Sequence, residues 1–379
     1  MDCSVPELSV DLPEASSDHE GSTVRVYIGS YSISSPWAGA EGAVGQGITC
    51  AEIDVETGDS VVLGTTSLVN PSYLLADPRR GRLYALTECE GPGEVVAYDV
   101  EPSSGELSES WRVASGADAP CHLALDASGD SLLVSHYNGH RLSRLPLGAD
   151  GRPGTVTTVE PPARPGAAAP ARPHSATALP DTGDVLVPDT GRDQLLRYRL
   201  GDPSSGEHPL AEVARLTLPA DHGPRTLALL ADKQVVYVSN QTAGSISVVG
   251  YGQADDPGLE LLQTVDSPGL GRSRSVPSEV AVHPSGEVVY LANRRDDSLS
   301  VFVIGADGAL ELAGAVDTVG RTPRHFGITP DGRLLLVANQ HSGVVTSFEI
   351  ASRGRELRPL APRLELGAPS CVLFHDPRT

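Results

Sequence analysis

The chain has 379 residues, of which 39% are hydrophobic, and its formal net charge is −21. This acidity argues against binding to nucleic acid or to an anionic membrane, because either partner needs a clustered basic face and the sequence supplies none. The 40 glycines and 31 prolines favour many short strands joined by turns over long helices.

The first 22 residues, MDCSVPELSVDLPEASSDHEGS, are acidic and lack both the basic and the apolar region of a signal peptide. We predict that residues 1–22 form a disordered tail and that residues 23–379 form one domain. No apolar run reaches the length of a membrane span. The five cysteines are scattered and show no CxxC spacing, which argues against a disulfide framework or a zinc site. We therefore expect a soluble, reduced, cytoplasmic protein.

One pattern recurs along the rest of the chain: a proline, a short apolar alternation, and then a turn. We call these residues the anchor prolines; they are Pro71, Pro120, Pro173, Pro224, Pro277, Pro323 and Pro369. Their spacings are 49, 53, 51, 53, 46 and 46 residues, which is the range of propeller blades. We expect each anchor proline to begin the innermost strand of a blade.

Each repeat continues with a turn such as PDTG, an apolar strand such as VVYLAN, a polar corner, a third strand such as SLSVFVI, and a weaker fourth strand. The seventh anchor opens a strand with no partners after it, whereas TVRVYIGSYS at 23–32 has strands after it but no anchored strand before it. The two ends can therefore complete one blade and leave no open edge. The sequence predicts an all-β fold: a seven-bladed β-propeller of four-stranded antiparallel blades, closed by the N- and C-terminal strands.

Two segments interrupt the pattern. Residues 35–47 are glycine-rich, and residues 161–173 are rich in proline and alanine. We interpret both as exposed loops, with a lid over the central channel as the alternative.

The residues directly after the anchor prolines are expected to surround one mouth of the channel. They are Ser72, Tyr73, Cys121, His122, His174, Ser175, Arg225, Thr226, Ser278, Glu279, Arg324, His325, Ser370 and Cys371. A second ring comes from the polar corners. We expect its Asn and Asp column to bond nearby backbone amides (Asp189, Asn240, Asn293 and Asn339), and its more varied next column to face a ligand (Glu88, Tyr137, Gln241, Arg294 and Gln340).

Such residue types can perform acid–base chemistry on an anionic substrate. Histidine can take a proton from water or carbon, a glutamate can act as the acid, and arginines can clamp a carboxylate or phosphate and stabilise an oxyanion. The sequence has no GxSxG, HExxH or P-loop motif, and its D-T-G at 189–191 falls in a repeat corner, which argues against an aspartic protease. A metal site built from His122, His136 and His174 is conceivable, but carboxylates are not interleaved with them. We expect no metal and no cofactor.

Several segments together resemble one family of propellers. They include VYIGSYS, APCHLALDASGDSLLVSHYNG, RPHSATALP, GPRTLAL, LANRRDDSLSVF and TPRHFGITPDGRLLLVANQ, and the resemblance covers about residues 24–376. The chain resembles the lactonase family of seven-bladed propellers, which includes propeller-type 6-phosphogluconolactonases and carboxy-muconate cycloisomerases. The resemblance implies an active site at the channel mouth that acts on lactones or on their open acids.

Comparison with the motifs of that family shows which residues this chain keeps and which it changes. The family's H-P-H-S motif is R-P-H-S in this chain, so His174 is kept and Arg172 replaces the first histidine. Its G-P-R-H keeps Arg225 but has Thr226 in place of the histidine. Its N-E-L corner is N-Q-T, which puts Gln241 where the family has a carboxylate, and a glutamine cannot shuttle a proton.

We therefore predict a lactone hydrolase acting on a small anionic molecule, in a chain that we expect to be monomeric. The predicted catalytic residues are His174 as the base, Arg225, and Glu88 as the acid or as an orienting group. The predicted substrate-binding residues are Arg294, Arg324, His122, Gln241, Tyr137, His325 and Glu279. Two alternatives stay open: an intramolecular cyclase or cycloisomerase of secondary metabolism, which the changes at 226 and 241 favour, and a propeller that binds a small molecule or a protein without catalysis.

Overall fold

The structure, a computed structural model, describes residues 23–33, 44–163, 168–201 and 209–375. The predicted N-terminal tail lies outside these ranges, as do most of loop 35–47 and the middle of loop 161–173, so the tail and lid predictions stay untested. The described residues contain 28 strands in seven four-stranded antiparallel sheets. Helical structure in these ranges is limited to three short 3-10 turns, at Pro78–Arg80, Ala231–Lys233 and Ser352–Gly354. No described helix is long and apolar enough to cross a membrane.

The strands follow one another blade by blade. The first two blades contain β1 (Thr23–Ser30), β2 (Ile48–Asp54), β3 (Ser60–Thr66), β4 (Leu74–Asp77), β5 (Arg82–Leu86), β6 (Pro92–Val100) and β7 (Leu107–Asp118). The third and fourth contain β8 (Pro120–Leu125), β9 (Ser131–His136), β10 (Arg141–Pro146), β11 (Thr157–Val159), β12 (Thr177–Ala178), β13 (Val185–Asp189), β14 (Gln194–Arg199) and β15 (Ala211–Thr217).

The remaining strands complete the ring. The fifth and sixth blades contain β16 (Pro224–Leu230), β17 (Val235–Asn240), β18 (Ser245–Tyr251), β19 (Leu259–Asp266), β20 (Pro277–Val282), β21 (Val288–Asn293), β22 (Ser298–Ile304) and β23 (Leu310–Asp317). The seventh contains β24 (Pro323–Ile328), β25 (Leu334–Asn339), β26 (Val344–Ala351) and β27 (Glu356–Glu365), and β28 (Pro369–His375) returns to pair with β1. The seven-bladed fold and its closure by the two terminal strands are confirmed.

The burial pattern explains the order of strands within a blade. Middle strands such as β25 (LLLVAN) are buried along their whole length, because neighbouring blades cover both faces. The outermost β19 instead alternates between half-buried and exposed residues. In the described residues, seven apolar clusters occupy the seven contacts between adjacent blades. The core is thus divided among blade interfaces and leaves the centre of the ring open as a channel.

Tyrosine hydroxyls join adjacent blades by a repeated hydrogen bond. Tyr27, Tyr237 and Tyr290, each on a middle strand, donate to the carbonyl oxygens of Gly105, Gly308 and Gly354 at 2.8, 3.0 and 2.6 Å. Each glycine lies in a hairpin of the adjacent blade. These bonds satisfy a buried hydroxyl and fix one blade against the next.

Pairing between the first two strands of a blade brings the two polar rings together. Pro224, Pro277 and Pro323 lie opposite Asn240, Asn293 and Asn339 in the sheet register. The register shifts directly after each of these prolines, as it does after Pro120. Such a bulge turns the following side chains toward the channel mouth. Five anchor prolines begin their strands as predicted, but β4 begins after Pro71 and β12 after Pro173, which makes only an isolated bridge to Asp189.

Candidate active site at the channel mouth

A cavity of about 600 Å³, lined mainly by charged and polar residues, occupies the mouth of the channel where the two rings meet. Its walls contain four arginines and two glutamates, so positive charge is in excess inside an otherwise acidic protein. The lining residues are Glu88, Glu90, Cys121, Tyr137, Asn138, His174, Arg225, Gln241, Val276, Arg294, Arg295, Thr322, Arg324, Gln340 and His341. A cavity of this size and charge fits a small anionic molecule.

Hydrogen bonds from hydroxyl side chains join the inner strands that form this mouth. Thr226 donates to the carbonyl oxygen of Ser278 at 2.6 Å, and Ser278 donates to that of Pro323 at 2.7 Å. Ser175 bonds the carbonyl oxygen of Arg225 in the same way. Each bond ties one inner strand to the next. Thr226, which stands where the family motif has a histidine, is therefore a structural residue that joins two blades and does not line the cavity.

The corner asparagines are structural, but their partners differ from those predicted. Asn240 and Asn293 donate to serine hydroxyls on the following strand, and Asn339 donates to the hydroxyl of Thr346. Only Asp189 bonds backbone amides as expected, those of Arg172 and Gly191. The asparagines thus hold each corner against the third strand of its blade. The residue that follows each asparagine, Gln241, Arg294 or Gln340, lines the cavity.

His174, Arg225, Gln241 and Arg294 form one connected group in the cavity wall. Arg225 Nη1 donates a hydrogen bond to Nε2 of His174 and another, of 3.0 Å, to Oε1 of Gln241. Arg294 Nη2 donates to the same Gln241 oxygen at 2.6 Å. Nδ1 of His174 and Nε of Arg225 are buried and have no hydrogen-bond partner among the described groups. This group therefore contains more hydrogen-bond donors than acceptors.

Arg324 belongs to a second group, with Glu88 and Tyr31. The Tyr31 hydroxyl donates to Oε2 of Glu88 at 2.8 Å, and Arg324 Nη2 lies 3.5 Å from the same oxygen. The guanidinium of Arg324 also lies over the Tyr31 ring, 5.1 Å from its centre. Arg324 therefore has a carboxylate partner, whereas Arg225 and Arg294 share a neutral amide oxygen.

The crowding of positive charge shifts the pKa values of the group. Burial, followed by the charges of Arg225, Arg324 and Arg294, holds the pKa of His174 well below its ordinary value. Burial and the charge of Arg324 lower the pKa of Arg225 to about 10. Burial alone would lower the pKa of Arg324 too, but Tyr31 and Glu88 outweigh it and raise that pKa. His174 is thus a neutral imidazole held among positive charges.

Three predicted binding residues lie outside this cavity wall. His122, Glu279 and His325 follow the mouth residues on their strands and form, with Tyr73, a group that we call the lower layer of the channel. The Tyr73 ring stacks on His122, with centres 4.3 Å apart, and meets His325 edge-on at 5.7 Å. Glu279 Oε2 lies 3.8 Å from Nε2 of His325. None of the three lines the cavity together with His174, and their contact with a ligand stays a prediction.

The lower layer is uncharged around neutral pH. Burial, helped by neighbouring positive charges, lowers the pKa values of His122 and His325 to about 3, and burial raises the pKa of Glu279 to about 8. Nδ1 of His122 and of His325 accept backbone N–H bonds from Ala176 and Val372, so both imidazoles carry their proton on Nε2.

The sequence reasoning missed several groups in the site. Tyr31 was visible only as part of the VYIGSYS segment, and no repeat signal marks it. Arg295 and His341 directly follow Arg294 and Gln340, and Glu90 lies in the corner loop after Glu88. Arg172 also contributes: its Nη1 donates to the Tyr137 hydroxyl at 3.2 Å. Within the described ranges no group of three or more histidine, cysteine or acidic side chains is arranged to hold a metal. His136 contacts the Ser143 hydroxyl and the Asp118 carbonyl oxygen.

Comparison with known proteins identifies the family whose sequences this chain matches. Residues 25–374 match the model of the family described as "Lactonase, 7-bladed beta-propeller". A 6-phosphogluconolactonase of Bacillus subtilis is 27% identical over 81% of this chain and 88% of its own length. A 6-phosphogluconolactonase of Pectobacterium carotovorum is 30% identical over 70% of this chain and 77% of its own length.

A solved structure shows the same architecture. The periplasmic gluconolactonase PpgL of Pseudomonas aeruginosa superposes with a TM-score of 0.82 at 26% identity, and the match covers 93% of this chain and 99% of that one. Because that relative is a periplasmic protein, the cytoplasmic location inferred from the sequence stays a prediction.

Proposed function

This chain belongs to the lactonase family of seven-bladed β-propellers, and from that premise we propose that it hydrolyses a small lactone at the cavity in its channel mouth. The substrate class that we propose is a sugar-acid lactone, or a related cyclic ester, that carries a phosphate or carboxylate. The relatives named 6-phosphogluconolactonase support this class. The observation that carries the proposal is a neutral histidine placed beside two arginines that lack a carboxylate partner.

We assign the first chemical step to His174. The water that attacks the lactone carbonyl must lose a proton, and the imidazole accepts it. The new carbon–oxygen bond places negative charge on the carbonyl oxygen, and Arg324 stabilises this oxyanion. Glu88 and Tyr31 hold Arg324 in place. The imidazolium then returns the proton to the ring oxygen as the ester bond breaks, and the acid product ionises in water.

We assign recognition of the anionic group to Arg225 and Arg294. Their guanidiniums converge on one oxygen of Gln241, and a phosphate or carboxylate can accept from both in its place. Tyr137, whose ring meets that of His174 edge-on at 5.3 Å, borders the same space. The lower layer lies beneath these groups and forms the floor of the site in this proposal.

A lactone panel tests the function. Acid release from 6-phosphoglucono-δ-lactone and from glucono-δ-lactone is followed in a pH-stat, with spontaneous hydrolysis subtracted. We expect the wild type to hydrolyse the phosphorylated lactone, and His174→Ala to lose about 10²-fold or more of kcat/KM. His222→Ala, at a histidine that does not line the cavity, is the matched control. Hydrolysis by His174→Ala at the wild-type rate would show that His174 is not the base. Tight binding of sugar acids without turnover would favour a non-catalytic binding protein.

A cyclase or isomerase reaction is the second outcome of that panel. Such a reaction needs a second proton-transferring group, and Gln241 at the corner between two arginines cannot supply one. Conversion of an open-chain acid into a ring, without water uptake, would nevertheless replace hydrolysis as the assigned reaction.

The monomeric state expected from the closed ring is a separate proposal, which gel filtration with light scattering tests.

A further inference from the structure

The imidazole nitrogen of His174 that would act as the base is already hydrogen-bonded to Arg225 in this structure. Arg225 Nη1 hydrogen-bonds Nε2 of His174, and a guanidinium has no lone pair with which to accept. Nε2 is therefore the acceptor, and the neutral imidazole carries its proton on Nδ1, which is buried and has no partner among the described groups. The lone pair that would take a proton from water is thus occupied by Arg225.

Arg225 has only neutral acceptors. It donates to His174 and to the amide oxygen of Gln241, and its Nε–H is buried without a described partner. Arg294 uses the same amide oxygen. Arg225 is buried and Arg294 is partly buried, and two cations around one neutral oxygen are poorly compensated. An anion with two or three acceptor oxygens would bind this pair more strongly than Gln241 and His174 do.

Arg324 does not compete for that anion to the same degree. Its guanidinium already has the Glu88 carboxylate at 3.5 Å and the Tyr31 ring beneath it. The three arginines therefore have two different roles. The Arg225–Arg294 pair is open to an anion, and Arg324 is paired within the protein.

Resting on the lactonase function proposed above, we propose that the anionic group of the substrate activates the base. By binding between Arg225 and Arg294, the anion draws Arg225 away from His174 and exposes Nε2 to the water that attacks the lactone. The water proton then moves to Nε2 as its oxygen bonds the carbonyl carbon, and the same proton passes to the ring oxygen when the ester bond breaks. A lactone without an anionic group leaves Arg225 on His174 and turns over slowly even at saturation.

The electrostatics of the cavity act in the same direction. The pKa of His174 is held down by burial and by the charges of Arg225, Arg324 and Arg294, with a further contribution from His122. An anion bound between two of those arginines offsets their charge, so the imidazole becomes a stronger base when the substrate is in place. Arg225 is thus a specificity-determining residue whose effect is on kcat as well as on KM.

The experiment supplies the lactone and the anionic group as two separate molecules. The wild type is given saturating glucono-δ-lactone, which has no phosphate, with and without inorganic phosphate, at an ionic strength held constant with sodium chloride. We expect phosphate to raise kcat saturably by at least about tenfold, a modest share of what a general base supplies. Identical mixtures containing His174→Ala measure the hydrolysis that phosphate causes by itself. Phosphate that leaves kcat unchanged, or only inhibits, overturns the proposal.

Arg225→Gln is the diagnostic variant. It removes the guanidinium that hydrogen-bonds Nε2 of His174, so we expect a kcat on glucono-δ-lactone several-fold above that of the wild type without phosphate, and no further rise when phosphate is added. A kcat that falls on the unphosphorylated lactone while phosphate still activates would contradict the assigned role. Arg152→Gln, at an exposed arginine, is the matched control.

A binding measurement separates this inference from the proposed function. Nitrogen-15 NMR of histidine-labelled wild type reports the proton on each imidazole nitrogen, with His174 assigned from the His174→Ala spectrum. We expect phosphate to raise the pKa of His174 and to shift its Nε2 signal. If no lactone is hydrolysed, the function fails but this titration still tests the coupling; an unchanged His174 signal under saturating phosphate overturns it.

Discussion

Arg294 and Gln241 are joined by a hydrogen bond of 2.6 Å, from the guanidinium Nη2 to the amide oxygen that Arg225 also contacts. The two residues are 53 positions apart and come from the corners of adjacent blades. A neutral acceptor at this point leaves two positive charges available for a ligand. The choice of glutamine over a carboxylate therefore sets the charge that the cavity presents.

Gln241→Glu should weaken the binding of anions. The new carboxylate would pair with Arg225 and Arg294 and cancel one of their charges, so we expect the Kd of 6-phosphogluconate to rise by about tenfold or more. Isothermal titration calorimetry measures this directly. Gln253→Glu adds the same charge at an exposed site away from the cavity and should leave Kd unchanged; equal losses in both variants would mean that net charge, and not this contact, governs binding.

Arg324 and Arg294 should affect different kinetic constants. Because Arg324 is paired with Glu88 and is assigned to the oxyanion, we expect Arg324→Gln to lower kcat by about 10²-fold while KM changes little. Arg294→Gln should chiefly raise KM, because it removes a contact that is made before and during the reaction. Steady-state kinetics on the phosphorylated lactone separate the two, and an identical effect of both variants would contradict the division of roles.

Glu279→Gln should stabilise the protein, and the gain should depend on pH. Burial raises the pKa of Glu279 from 4.5 to about 8, so the folded state binds its proton more tightly than the unfolded state does. Keeping this carboxyl therefore costs stability increasingly as the pH rises from about 4.5 to about 8, and the glutamine avoids that cost. Thermal unfolding should show a higher Tm for the variant at pH 8, by about 2 °C or more, and a smaller difference near pH 5. Glu260→Gln, at an exposed position, should show no such trend.

The buried pair of Arg197 and Asp184 should be important for joining the fourth and fifth blades. Its Nε–Oδ2 distance is 2.8 Å, neither side chain is exposed by more than 1%, and Arg197 also bonds the Gly252 carbonyl of the next blade. Asp184→Asn leaves a buried cation without its counterion, and we expect a loss of about 3–5 kcal/mol in the free energy of unfolding. Asp150→Asn breaks an exposed pair with Arg152 and should cost less than about 1 kcal/mol in the same denaturation assay.

Gly29 lies at a close approach between the first two blades. A Cβ added there would meet the Pro71 carbonyl oxygen far inside contact distance, whereas a Cβ at Gly64 on the outer strand would meet nothing within 4 Å. We expect Gly29→Ala to destabilise the protein by about 1–3 kcal/mol and Gly64→Ala to be close to neutral. Equal unfolding midpoints for the two variants would show that the blades can separate at this point without cost.

The sequence was sufficient to predict the fold because every blade repeats the same local requirements. An anchor proline, a turn and an apolar strand recur at a near-constant spacing, and strand boundaries such as those of β17 and β21 follow the apolar runs. Closure by the terminal strands followed because each end lacked what the other supplied. Only the exact starts of the inner strands beside Pro71 and Pro173 differed.

The site was harder to predict, because the bulges after anchor prolines such as Pro120 and Pro323 decide which residue faces the cavity. Cys121 lines it while His122 lies in the layer beneath, and the same holds for Arg324 and His325. Sequence cannot resolve that one-residue step. Nor could it show that Arg225 contacts His174, or that Arg324 is paired with Glu88, since those contacts join segments far apart in the chain.

A crystal structure with bound 6-phosphogluconate tests the central claim most directly. We predict the phosphate within hydrogen-bonding distance of both Arg225 and Arg294, and Arg225 Nη1 withdrawn from Nε2 of His174. A phosphate seated elsewhere in the ring, or an Arg225 that still bonds His174 beneath the bound ligand, would contradict the account.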